Sequence, residues 1–166
     1  MLQPTVRRTW SPRGQTPIQY AWDAHDRLSV LSAITLSPTG KRLGLLFDVW
    51  GHNIGAAEVL VMLAGLRRRL PRGFILALDR SLPHRSAIKR LAGTAGGRIE
   101  IQWLPPYAPT LNPVERVWGH GKHDELANFV PDDAEHLRGE MEAALARTAR
   151  EQRLLRSFFA WAKLRI

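Results

Sequence analysis

Residues Phe74–Leu78 (FILAL) are apolar without interruption and run directly into Asp79. So short an unbroken apolar run suits a strand buried on both faces, the usual state of a strand in a parallel sheet. Parallel neighbours cannot be joined by a hairpin and need a crossover, usually helical, that covers the sheet. Candidate crossovers flank the run on both sides. Before it, Asn53 can cap a helix reaching about Arg69, with Ala57, Leu60, Val61, Ala64 and Leu66 as its apolar stripe. After it, His84–Leu91 has helical character, Gly93, Gly96 and Gly97 end that helix, and Arg98–Leu104 is a further strand closed by Pro105-Pro106. Upstream, Leu28–Leu36 and Leu43–Val49 are strands about the turn Ser37-Pro38-Thr39-Gly40. Downstream the pattern is helical. One helix opens at Asn112-Pro113, a second at Asp132 with Glu135 three residues on, and a last near Gln152–Leu164 sets Leu155, Phe158, Phe159 and Ala162 on one face. Strands, then alternation, then helices predict a single α/β domain over residues 1–166, a mixed sheet flanked by helices.

At 166 residues such a domain buries roughly two-thirds of its unfolded surface and needs no staple. The absence of cysteine excludes a disulfide framework and thiolate zinc sites. No apolar run approaches the ~20 residues of a membrane span and no export signal is visible, so a soluble, cytoplasmic protein without a membrane partner is expected. The charge is unevenly placed. Residues 1–90 hold 14 Lys and Arg against 5 Asp and Glu, and so carry the whole net charge of +9. Between Arg67 and Arg90 eight basic residues accompany one acid, Asp79. Such density suits a polyanion, because each phosphate contact releases counterions. It also suits a solvated basic face.

Two acids stand out. Asp79 sits where a strand ends, the place at which open α/β sheets bind ligands, although an Asp there could equally cap the turn through Ser81–His84. Glu115 falls at the third helical position after Asn112 and Pro113, where it either caps the Asn112 amide or points inward toward Asp79. The 35 residues between them suffice for a helix, a strand and a loop, which would return the chain beside the Asp79 strand.

Asp79 followed by that interval and by Leu104-Pro105-Pro106-Tyr107-Ala108-Pro109-Thr110-Leu111-Asn112-Pro113-Val114-Glu115-Arg116-Val117-Trp118 resembles the DDE transposases of bacterial insertion sequences, in the mariner-like DDE endonuclease superfamily. Segments Arg8–Pro17, Ser29–Leu36, Asp79–Arg85, Glu125–Phe129 and Leu155–Phe159 extend the likeness over essentially the whole chain. The resemblance implies an RNase H-like fold and metal-dependent cleavage and joining of duplex DNA at transposon ends by a homo-oligomer. It further implies two Mg²⁺ or Mn²⁺ ions ~3.5–4 Å apart, held by three carboxylates. By resemblance Asp79 is the second acid and Glu115 the third. The expected DNA contacts are Arg67, Arg68, Arg69, Arg80, His84, Arg85, Lys89, Tyr107 and Lys122. A catalytically silent DNA-binding remnant or accessory chain is the alternative.

The family's first acid lies on a strand preceding the segment that matches Leu2–Gly14. No acid here occupies a matching position, Asp23, Asp26, Asp48 and Glu58 being the acids before Asp79. A domain truncated at its N-terminus is therefore expected, without a helix-turn-helix DNA-recognition module. The missing strand would lie between the hairpin and Phe74–Asp79. Its absence is expected to leave two facing strand edges, to cause edge pairing or poor solubility, or to draw residues near Thr5–Trp10 into the gap.

Overall fold

The computed structural model describes residues 7–18, 28–92, 99–106 and 108–166. β1 (Ser29–Leu36) and β2 (Leu43–Trp50) form an antiparallel hairpin with Ser29 opposite Trp50 and Leu36 opposite Leu43. Its turn closes through Gly40, whose φ of +69° is one that residues with a Cβ rarely adopt, and whose N–H donates to the Ser37 carbonyl at 2.8 Å. Strand alternation sends Leu43, Leu45, Phe47 and Val49 toward one cluster of core residues and Leu46 toward the other. The hairpin is thus covered on both faces.

Helix α1 (Ala56–Arg69) packs on the Leu46 face. Its cap is Gly55 rather than the expected Asn53, because the Glu58 carboxylate reaches back to accept the Gly55 N–H at 2.7 Å. The buried stripe is also displaced: Val59, Met62, Leu63 and Leu66 are inside, while Ala57 and Ala64 are exposed and Val61 is 51% exposed. The residues at i, i+3, i+4 and i+7 from Val59 bury more apolar area than the alanines do, so they set the helix's rotation.

β3 (Phe74–Leu78) pairs in parallel with β4 (Ile99–Trp103), Phe74 opposite Ile99 and Leu78 opposite Trp103. Phe74 and Leu76 pack against α1 and α2 (Leu82–Leu91). Contrary to burial on both faces, Ile75 is 65% exposed and Ala77 is exposed, with Glu100 and Gln102 exposed on the neighbouring strand. Helices cover that face only over the hairpin. α2 starts at Leu82, with Pro83 in its first turn, and Gly93, Gly96 and Gly97 lie outside the described residues.

Beyond β4, a 3₁₀ turn (Pro109–Leu111) leads into α3 (Val114–His120), which loosens into a π-type turn over Gly121–Glu125, the Leu126 N–H donating to the Gly121 carbonyl. α4 (Ala134–Arg150) is capped by Asp133, whose carboxylate accepts the His136 N–H at 2.7 Å. The expected cap, Asp132, instead pairs with the His136 ring. α5 (Gln152–Trp161) buries Leu155, Phe158 and Phe159, and Gln152 bonds both the N–H and the carbonyl of Leu43, docking this helix on β2. α3, α4 and α5 share one core cluster with the hairpin.

The expected single mixed sheet is present as two separate pairs, β1–β2 and β3–β4. An open groove lies between β1 and β3. Residues 7–18 do not enter it: all are exposed, Trp10 at 98%, while Thr5 lies outside the described residues.

Candidate active site

Asp79 directly follows β3, and the ladder holds to its end, since the Leu104 N–H donates to the Leu78 carbonyl at 2.9 Å. Asp79 Oδ1 accepts the Ser81 N–H at 2.9 Å and the His84 Nδ1–H at 2.6 Å. Asp79 therefore does close the Ser81–His84 turn. Burial pushes its carboxyl pKa up, but the hydrogen bonds from Ser81 and His84, with the His84 charge, outweigh it and hold the value below the ordinary one. Both bonds fall on Oδ1, and the side chain is 44% exposed.

Glu115 lies in the first turn of α3. The capping-box alternative fails here: Asn112 Oδ1 accepts the Val114 N–H at 3.2 Å, and the Asn112 N–H goes to the Pro109 carbonyl at 2.9 Å. Among the described residues the Glu115 carboxylate has no hydrogen-bond or salt-bridge partner. Its pKa is raised, first by burial and then by the nearby Asp79 charge. The Asp79 charge is thus felt at Glu115, which lies on a separate element, and among the described residues His84 on Asp79 is the basic side chain paired with either acid. Among the described residues no group of three or more His, Asp or Glu is arranged to hold a metal.

The basic residues divide by position. Arg67, Arg68 and Arg69 are exposed at the end of α1, which leads through Gly73 into the first residue of β3. They therefore lie at the opposite end of that strand from Asp79, ~17 Å away along five residues. The structure does not bring them to the acids. Arg80 and Arg85 are exposed at or near the Asp79 end, whereas Lys89, exposed in the last turn of α2, lies toward the other end of β3, because the helix runs back along that strand to reach parallel β4. Lys122 is half-buried in the π-type turn, and Tyr107 lies outside the described residues. So do Asp23 and Asp26; Asp48 sits on β2, beyond β1, near Arg69. Sequence analysis placed His84 at the start of a helix and among the expected DNA contacts; in the structure its ring binds Asp79. The available signal was spacing, since Asp79 and Ser81 stand two apart, as an Asx turn requires.

A family model described as DDE superfamily endonuclease matches residues 1–138. The solved crystal structure of the Mos1 Strand Transfer Complex is similar in fold, with a TM-score of 0.60 at 16% sequence identity. The likeness covers 98% of this chain and 48% of that one, so the chain spans about half the length of its solved relative. That agreement supports the RNase H-like class. No curated protein matches the sequence.

Proposed function

Because the chain belongs to the DDE superfamily endonucleases, we propose that it is the catalytic part of a transposase, cutting and joining duplex DNA with Mg²⁺ or Mn²⁺. The observation that supports this reading is that the ionisation of Glu115 is opposed by burial and by the Asp79 charge, as for two acids of one site. Like charges left facing each other in a half-buried site fit a hard divalent cation, which oxygen ligands suit. Bound there, a divalent ion would activate an attacking oxygen and stabilise the leaving one. The chain's own residues prepare the site. Ser81 and His84 hold Asp79 ionised and oriented through Oδ1. Arg80 and Arg85 place positive charge beside the acids, where a DNA backbone must pass.

The test is nicking of supercoiled DNA with Mg²⁺ or Mn²⁺. Asp79→Asn and Glu115→Gln should each lower the rate by ~10² or more, with unchanged circular dichroism. Nicking that survives both substitutions defeats the assignment. A second reading, a silent DNA-binding chain, is favoured by one observation: the described residues supply no third carboxylate to the pair. It predicts salt-sensitive DNA binding with no nicking under any metal.

A further inference from the structure

Among the described residues β2 pairs with β1 alone, and beside the strand lies a cleft of about 330 Å³ lined by Phe47, Asp48, Val49 and Trp50 and by Arg138 and Glu142 of α4. Along an antiparallel strand, successive residues turn their backbone groups alternately toward the paired neighbour and away from it. Leu43 turns away, since its N–H and its carbonyl both bond the Gln152 side chain, at 2.9 and 2.7 Å. The register with β1 is unbroken from Trp50 to Leu43, so Leu45, Phe47 and Val49 point the same way. Among the described residues these three have no hydrogen-bond partner on that edge. Free edges are ordinarily blunted by Lys, Pro or a bulge. β2 has none of these, and its one charged residue is Asp48.

We propose that this edge joins a second copy of the chain, β2 against β2 and antiparallel, about a two-fold axis at Phe47. In that register Phe47 faces Phe47 and Leu45 faces Val49, so the free groups of both strands are consumed in about six hydrogen bonds. Leu43 would fall opposite Gly51, past the end of β2 at Trp50, and Leu43 is the residue that Gln152 already satisfies. The edge is therefore open over the length that self-pairing uses and closed outside it. The neighbouring registers are worse. An axis at Leu46 sets Val49 against the occupied Leu43, and an axis at Asp48 sets two like charges directly opposite each other; with the axis at Phe47, Asp48 faces Leu46. The helix beside the edge is self-complementary too. Arg138 and Glu142, both half-exposed, stand one turn apart on α4. A two-fold axis reverses α4 together with β2, so Arg138 of each copy comes to Glu142 of the other, and the contact is made twice. One strand and one helix face make a small interface, which suits micromolar rather than nanomolar strength. Neither Asp79 nor Glu115 enters, so the pairing stands apart from the transposase reading.

The test uses the full chain in solution. Sedimentation across the micromolar range should show a monomer–dimer equilibrium. Amide exchange compared at the two ends of that range should slow in the dimer at Leu45, Phe47 and Val49, and stay unchanged at Gly44, Leu46 and Asp48, whose backbone groups face β1. Pairing through the edge predicts that alternation; packing through a face does not. Arg138→Glu and Glu142→Arg, with circular dichroism unchanged, should each raise the dimer Kd at least ~10-fold by setting like charges together. An equimolar mixture of the two variants should recover association, because each then meets the opposite charge at both contacts. A monomer at every concentration overturns the proposal. So does association that protects residues 31–36 or 74–78 in place of the β2 edge, and so does a mixture that associates no better than its components.

Discussion

The two acids of the site titrate in opposite senses, and each shift has a different cause. Asp79 is held below its ordinary value by Ser81 and His84 despite burial. A depressed folded-state pKa contributes stability that is present above the unfolded value, 3.8, and is lost as pH falls through the folded value. His84→Ala removes one donor and shrinks that contribution. In metal-free buffer it should lower Tm at pH 7, and the deficit should close as pH drops below about 3.8. Thermal melts across pH 2–7 check this, and a deficit independent of pH would show that packing alone was lost. Glu115 has the reverse sign. Its raised folded-state pKa means that the ionised form opposes folding above that value, and the cost vanishes as pH falls toward the unfolded 4.5. Glu115→Gln should therefore raise Tm at pH 7 without metal, by about 1–3 °C, and the gain should fade in acid. A stabilised but inactive variant is what a site kept for function rather than stability yields.

At the scale of elements, boundaries were decided by side chains that reach a particular amide. Asp133 rather than Asp132 caps α4 because its carboxylate meets the amide of His136, three residues on. Asp133→Ala should cost ~0.5–2 kcal/mol in denaturant melts, and Asp132→Ala much less. α5 is set by burial and by one polar clamp. Leu155 is fully buried, and Gln152 satisfies both backbone groups of Leu43 at the start of β2. Leu155→Ala should cost ~2–5 kcal/mol, because its neighbours come from the hairpin and other helices and cannot all collapse into the void. A loss under 1 kcal/mol would mean that α5 does not hold the hairpin. The displaced stripe of α1 teaches the same lesson: helical period was readable, but which of two overlapping apolar stripes turned inward depended on the size of the partners offered by Leu46, Phe74 and α2.

Across the whole molecule, the basic first half is split between the two ends of β3. Binding to duplex DNA should fall with salt, with a slope in log units near −0.9 per phosphate contact. Charge reversal at Arg80 and Arg85 should flatten that slope and suppress nicking together, since these residues stand near Asp79. Reversal at Arg67, Arg68 and Arg69 should flatten the slope while nicking at saturating DNA is retained, since these stand ~17 Å away. Filter-binding titrations between 50 and 300 mM salt, paired with nicking rates, separate the two sets; identical effects on both readouts would show that DNA covers both ends at once. The sequence by itself determined the α/β order, the hairpin, the parallel character of the Phe74–Leu78 run and the family, because these rest on local periodicity and on a motif fifteen residues long. Tertiary structure alone decided that β3 is open on one face, that Arg67–Arg69 stand away from the acids, that His84 serves Asp79, and that the two sheets are parted by a groove. Each of these depends on what lies across from a residue in space, and apolar periodicity specifies which face wants burial without specifying whether a neighbour arrives to bury it.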